Sequence, residues 1–206
     1  MALQPSLRPL IIAGQATAPH TIDLFSNMAC SLSAKTAVTI DNVIIPLLSS
    51  GGKYEGKVKA IFRPHPQPWH ASSTLTHEAA LAVLKAYPDN FWKFSSALFA
   101  HQTEYFDVPT STQTPVQTRE KLANLAGEVI GGEGVADKIK DLLAHKTSGN
   151  GGNAVTDDLR YSVKYARQNS IHFSPTVLWD GVIEGSISSS WGEKEWTEFL
   201  EKKVSV

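Results

Sequence analysis

The order of the predicted strands and helices is the feature that most constrains the fold of this chain. Residues 20–26 form a short run of β-branched, aliphatic and aromatic residues, which favours a buried strand. Apolar residues then recur near helical spacing over residues 30–48, up to the glycines at 51 and 52. Residues 57–63 alternate charged and apolar side chains, as a half-buried strand does. We therefore predict a β-α-β unit over residues 20–63.

The rest of the chain is predicted to be a long helical block followed by a hairpin and a final helix. Breaks rich in glycine or proline separate helical patterns at residues 75–87, 91–106, 118–130, 135–145 and 156–169. Residues 176–180 and 182–187 are then two segments of β-favouring residues, and the Asp180-Gly181 pair between them is a strong hairpin signal. A last helix is predicted over residues 191–203. This order indicates an α/β protein with an all-helical insertion.

Cys30 is the only cysteine in the sequence, and it lies at the start of the first predicted helix. A single cysteine cannot form an internal disulfide, and it excludes a zinc site built from two or more cysteines. Unpaired N–H groups and the positive end of the helix dipole favour an anion at this position, so the thiolate is favoured there. The alternative is a buried cysteine that acts as a small apolar side chain, and the sequence leaves both open.

The charge balance argues against nucleic acid or a membrane as the partner. Lysine and arginine total 19, against 20 for aspartate and glutamate, so the chain has no strong overall field. No segment approaches the length of apolar sequence that a membrane span needs, and the N-terminal residues lack the features of a secretory signal. We therefore expect a soluble protein, either a monomer or a homodimer. We expect it in the cytoplasm, because a single cysteine suits a reducing compartment. Its partner is expected to be a small molecule or another protein.

Three short sequences in this layout resemble the DsbA-like family of thioredoxin-fold proteins. Residues 30–33, CSLS, stand at a helix start where that family has C-x-x-C. Residues 174–176, SPT, precede a strand as the cis-proline loop of the family does. Residues 91–99, FWKFSSALF, are similar to an aromatic-rich helix that family members carry in their insertion. The resemblance extends over roughly residues 8–203.

The resemblance implies a thioredoxin-like fold for a single chain over residues 1–206. The thioredoxin core is then expected at residues 8–65 and 170–206. A large all-helical insertion at residues 66–169 would separate the β-α-β half from the C-terminal β-hairpin-α half.

The function that the resemblance implies is thiol-disulfide or glutathione exchange through one thiol, because a serine replaces the second cysteine. Any turnover then needs an external thiol, since a serine cannot displace a mixed disulfide. Glutathione would be a co-substrate, with no tightly bound cofactor, and the other partner would be a small thiol or a protein thiol or disulfide. The expected catalytic residues are Cys30 as nucleophile and Ser33 as hydrogen-bond donor to its thiolate. The residues expected to border the partner are Ser31, Ser174, Pro175 and Thr176.

Two other functions are compatible with the same layout. In glutathione-dependent isomerases and transferases of this fold, the residue at the helix start activates the sulfur of bound glutathione, a role open here to Ser31 or Ser33. The fold is also compatible with a redox-inactive protein that binds a ligand or a protein in the former substrate groove.

Several histidines lie near the end of the second predicted strand, but their spacing is unlike that of a metal site. The spacings between His65, His70 and His77 are five and seven residues in a proline-rich stretch, and they match no compact ligand pattern. We therefore predict surface or capping histidines and no metal site, with His70 near the groove beside the cysteine.

Overall fold

The computed structural model describes residues 3–204, so residues 1–2 and 205–206 of the predicted single chain lie outside the described residues. Five strands form one sheet in the order β1-β3-β2-β4-β5. The strands are β1 (Ile11–Ala13), β2 (His20–Ser26), β3 (Val58–Pro64), β4 (Thr176–Trp179) and β5 (Val182–Ile183).

Helices connect and cover these strands, and most of them lie between β3 and β4. The α-helices are α1 (Ser31–Thr39), α2 (Ile45–Leu48), α3 (Ser73–Ala86), α4 (Phe91–Ala100), α5 (Asp107–Thr110), α6 (Pro115–Ile130), α7 (Val135–Leu143), α8 (Thr156–Gln168) and α9 (Glu193–Val204). Short 3₁₀ helices occupy Pro5–Leu10, Pro88–Asn90 and Gln102–Tyr105.

The strand register brings three loops to one edge of the sheet. β2 and β3 are parallel and end together, with Ser26 opposite Pro64. β4 is antiparallel to β2 and begins at the same edge, where Thr176 lies opposite Phe25. The loops that follow β2 and β3 and the loop that precedes β4 therefore lie side by side.

Apolar side chains cover β2 on both faces, as expected of a central strand between helices. On one face, Ile22 and Leu24 belong to a core that includes Ile44 and, from α9, Trp196. On the other face, Phe25 packs in a smaller cluster supplied mainly by α8, the segment after it and β4. A further core joins α3, α4 and α6 within the helical block. The predicted thioredoxin-like α/β fold is thus confirmed, with the helical insertion between its two halves.

Two details of the sheet differ from the prediction. β1 was not predicted, because three residues are too few to display the alternation that identifies a strand. The hairpin turn lies at Asp180 and Gly181, as predicted, and their φ angles of 48° and 86° are positive, as a two-residue hairpin turn requires. The second difference is the length of β5. β5 stops at Ile183 instead of continuing to residue 187. The short strand leaves little free sheet edge.

The helix after Cys30 contains one wide turn that joins it to the insertion. A π-helical turn, Ile40–Ile44, separates α1 from α2. Within this turn the Asp41 carboxylate accepts the indole N–H of Trp92 at 2.6 Å and the hydroxyl of Ser96 at 2.5 Å. Both donors belong to α4, so one carboxylate connects the thioredoxin core to the helical insertion.

Replacing Asp41 with alanine is expected to lower the free energy of unfolding by about 2 kcal/mol, because it removes two hydrogen bonds to a charged group. Urea unfolding at neutral pH measures this loss. The exposed residue Asp141 on α7 provides the control, and Asp141→Ala should change stability by less than about 0.5 kcal/mol. Equal effects from the two substitutions would show that the Asp41 contacts add nothing to stability.

Candidate functional site

Cys30 lies at the sheet edge where the three loops meet and caps the start of α1. Its φ and ψ are −110° and 122°, the extended conformation that usually precedes a helix. Its N–H donates to the Asn27 carbonyl at 3.0 Å, and its own carbonyl accepts the Ala34 N–H at 3.1 Å. The side chain is a free thiol of intermediate exposure. The thiol therefore lies at the N-terminus of α1, where the N–H groups of the first turn have no partner within the helix.

The loop before β4 contacts this thiol directly. The Ser174–Pro175 peptide bond is cis. The Cys30 thiol donates to the Ser174 carbonyl oxygen at 3.6 Å. Thr176 is buried, and its hydroxyl donates to the Phe173 carbonyl at 2.8 Å, which fixes the loop at the start of β4. The structure thus brings the residues of the predicted SPT loop next to the cysteine.

The two serines after Cys30 lie in different surroundings. Ser33 is fully buried, and its Oγ accepts the Asn27 N–H at 3.2 Å. Ser31 is exposed on the first turn of α1. A partner in solvent can therefore reach Ser31, whereas Ser33 lies within the turn that supports the cysteine.

Two buried polar residues beside this turn were not predicted from the sequence. The Ser73 hydroxyl, at the start of α3, donates to Asn27 Oδ1 at 2.8 Å. Asparagine is common in turns after strands, and serine is common at the starts of helices, so neither residue type is unusual at its position. Neither position carried a sequence signal that connected it to Cys30.

The prediction of surface or capping histidines was wrong for His65 and His77. His77 is fully buried, and its Nε2 accepts the Met28 N–H at 3.4 Å. Burial, with a smaller contribution from the nearby His65 imidazole, lowers the pKa of His77 to about 3. Burial likewise lowers the pKa of His65 to about 4, with a smaller contribution from His172. His77 lies against the turn that precedes Cys30, whereas the His65 ring packs edge-on against Phe25 of β2, with ring centroids 6.1 Å apart.

His70 remains partly exposed and lies 3.3 Å from an Asp107 carboxylate oxygen through its Nδ1. Within residues 3–204, no group of three or more histidine, cysteine, aspartate or glutamate side chains is arranged to hold a metal ion.

Large apolar side chains are exposed on the segments that border the cysteine. Leu32, Trp69 and Phe173 are 47%, 60% and 63% exposed, respectively. They belong to the first turn of α1, the loop after β3 and the loop before β4. The two loops are linked, because Gln67 Nε2 donates to the His172 carbonyl at 3.5 Å. Exposed large apolar side chains on neighbouring segments suit a surface that contacts another molecule.

The cleft beside Pro175 is small. It has a volume of about 10 Å³, between α1, the start of β4 and the segment before α9. That volume is close to the minimum that holds one water molecule. Cys30 does not line this cleft.

Comparisons with known proteins agree with this architecture. The family model described as Thioredoxin matches residues 8–202. No curated protein sequence matches this chain. None of the described helices is both long and apolar enough to cross a membrane.

Several solved structures share the fold at low sequence identity. A proposed protein-disulfide isomerase from Pseudomonas syringae has a TM-score of 0.70 and 22% identity, covering 91% of this chain and 96% of that protein. BdbD from Bacillus subtilis, in its oxidised form, has a TM-score of 0.64 and 20% identity, covering 98% and 97%. The thiol-disulfide oxidoreductase MdbA from Actinomyces oris has a TM-score of 0.63 and 18% identity, covering 92% and 83%.

The family match spans most of the chain, and the cysteine at the helix start faces a cis-proline loop across the edge of the sheet. The helical block between β3 and β4 corresponds to the insertion of the DsbA-like branch. The chain therefore belongs to the thioredoxin family and has the fold of DsbA-like thiol-disulfide oxidoreductases.

Proposed function

We propose that this protein is a thiol-disulfide oxidoreductase that works through the single thiol of Cys30, with glutathione or a protein thiol as partner. The observation that carries the proposal is the contact between the Cys30 thiol and the Ser174 carbonyl, 3.6 Å apart at the start of α1. It sets a partly exposed nucleophile beside backbone groups that an extended partner can pair with.

The chemistry begins with the thiolate, which is the reactive form of cysteine. The Cys30 sulfur attacks one sulfur of an external disulfide, so that a new S–S bond forms as the old one breaks. The departing thiolate takes up the proton that Cys30 lost. A second external thiol then attacks the mixed disulfide and restores Cys30, because the chain has no other cysteine to do so.

The surroundings of the thiol favour a protein or an extended peptide as one of the partners. Leu32, Trp69 and Phe173 offer exposed apolar surface, and the cleft at Pro175 is too small to enclose a ligand. The Ser174 backbone offers a pairing edge next to the sulfur. We expect the reaction to occur in the cytoplasm, because a protein with one cysteine has no internal disulfide that an oxidising compartment would maintain.

The test is to incubate the folded protein with glutathione disulfide and measure the mixed disulfide by intact mass. Turnover is then measured as the reduction of a small mixed disulfide by glutathione. The unmodified protein should form one adduct and should turn over. Cys30→Ser should abolish both reactions, since the chain contains no other thiol.

Ser31→Ala separates this proposal from the transferase-like alternative. Of the two serines that the alternative allows, Ser31 and Ser33, only Ser31 is exposed. Only its hydroxyl can therefore contact the sulfur of bound glutathione. Under our proposal Ser31→Ala still forms the mixed disulfide, because the Cys30 nucleophile is retained. A protein that conjugates glutathione after Cys30→Ser but not after Ser31→Ala would contradict the proposal and support the alternative. A folded protein that forms no adduct would indicate a binding protein.

A further inference from the structure

One face of α3 binds the turn that precedes Cys30 at two points. The Ser73 hydroxyl donates to Asn27 Oδ1 at 2.8 Å, and His77 Nε2 accepts the Met28 N–H at 3.4 Å. Ser73 and His77 are four residues apart and therefore share a helix face. Both are buried. A helix of the insertion is thus hydrogen-bonded to the turn that precedes Cys30 and packs beneath it.

Asn27 connects α3 to the cysteine, because it is hydrogen-bonded to residues before and after Cys30 and to Cys30 itself. Its Oδ1 also accepts the Ala29 N–H at 3.1 Å, and its backbone carbonyl accepts the Cys30 N–H at 3.0 Å. Its own N–H donates to Ser33 Oγ at 3.2 Å, one helical turn after the cysteine. A displacement of Asn27 would therefore move the thiol relative to the N–H groups at the start of α1.

The choice of asparagine at this position fits a site that holds a thiolate. Asn27 is fully buried, and its Nδ2 has no hydrogen-bond partner within the described part of the chain. An unpaired buried donor is destabilising, so this residue is not the most stabilising choice. Aspartate would supply the same acceptor, but it would bring a negative charge three residues from the sulfur. The neutral amide supplies the acceptor without opposing a thiolate.

The same serine also supports the other loops at the site. Ser73 Oγ accepts the Gln67 N–H at 3.0 Å, and the Gln67 side chain donates to the His172 carbonyl at 3.5 Å. His172 precedes Ser174 by two residues. Ser73 therefore lies at the centre of a hydrogen-bonded chain that reaches both the cysteine turn and the cis-proline loop.

We infer that Ser73 of the helical insertion is a positioning residue for Cys30 and acts through Asn27. This inference rests on the proposed thiol exchange and adds a residue outside the thioredoxin core to the site. The insertion would then set the geometry of the thiol as well as cover the sheet. Ser73 touches neither the sulfur nor the partner, so its effect should appear in the reactivity of Cys30.

The experiment compares Ser73→Ala with Ser95→Ala. Ser95 is also a fully buried serine of the insertion, but its hydroxyl donates within its own helix, to the Phe91 carbonyl at 2.8 Å. For each variant we would measure urea unfolding and the rate constant for adduct formation with glutathione disulfide. The equilibrium between thiol and mixed disulfide in a glutathione redox buffer is the third measurement.

Ser73→Ala is expected to slow adduct formation about tenfold and to shift the equilibrium towards the mixed disulfide, because a displaced thiolate loses stabilisation from the helix start. Ser95→Ala should match the unmodified protein in both measurements, although it loses a buried hydroxyl as well. Equal rates and equal equilibria for the two variants would overturn the inference, whatever their stability.

Amide hydrogen exchange of Ala29 tests the inference without relying on a variant that folds. The unmodified protein should protect this amide, because it donates to Asn27 Oδ1. Exchange at the rate of an unprotected loop would overturn the inference. An unmodified protein that forms no glutathione adduct contradicts the proposed function instead, so the two failures can be distinguished.

Discussion

Replacing Arg63 with methionine is expected to lower the free energy of unfolding by about 4 kcal/mol. Arg63 Nε donates to Asp23 Oδ1 at 2.6 Å in the centre of the sheet, and these side chains are only 5% and 1% exposed. The guanidinium also lies over the Tyr165 ring, 4.5 Å from its centre. Methionine keeps much of the arginine volume but leaves the Asp23 carboxylate buried without its cation. Urea unfolding at neutral pH measures the loss.

The double variant Asp23→Leu with Arg63→Met separates the charge from the packing. If the loss arises from an unpaired buried carboxylate, removing that carboxylate should restore most of the stability. The matched control is Arg160→Met, since Arg160 Nη1 pairs with Asp157 Oδ1 at 3.3 Å on an exposed surface. That substitution should cost less than about 0.5 kcal/mol. A double variant as unstable as Arg63→Met would show that packing around Arg63 dominates instead.

The sequence was sufficient to predict the arrangement of the main elements, because each of them carries a periodic pattern. β2 was predicted with the bounds that the structure gives, and the hairpin turn was located from Asp180 and Gly181. The helical insertion followed from its glycine and proline breaks. Elements without a pattern were missed: β1 has three residues, and the π turn at Ile40–Ile44 continues the apolar spacing of the helix around it.

The centre of the candidate site could also be predicted, because its parts are encoded locally. A cysteine at a helix start and a proline before a strand are visible as short sequences. The sheet topology then brings Cys30 and Pro175 to the same edge. The roles of Ser31, Ser33, Ser174 and Thr176 in catalysis or binding remain predictions.

The supporting residues could not be predicted, because their contacts join segments that are distant in the chain. The Ser73 hydroxyl meets Asn27 across 46 residues, and His77 meets Met28 across 49. Single histidines and serines in a predicted helix carry no periodic signal of burial. Their environment follows from how α3 packs against the cysteine turn, which tertiary structure alone decides.

Acidification from pH 7 to pH 5 is expected to lower the free energy of unfolding by about 3 kcal/mol, through His65 and His77. Burial holds the pKa of these side chains at about 4 and about 3 in the folded protein. In the unfolded chain the imidazole of histidine titrates near 6.5. Between those values the unfolded chain binds more protons than the folded protein, so falling pH favours unfolding.

The variant His77→Gln should remove about half of this loss, because glutamine does not titrate and can still accept the Met28 N–H. His145→Gln removes an exposed imidazole of the insertion and should retain the full loss. Urea unfolding at both pH values measures each difference. The folded-state pKa values of Glu104, Glu184 and Glu195 are lowered by hydrogen bonds, so these carboxylates protonate mostly below this pH range. If His77→Gln loses as much stability as the unmodified protein, His77 is not held neutral beneath the cysteine turn. The hydrogen bond that α3 accepts from Met28 would then be lost on acidification, because a protonated imidazole cannot accept it.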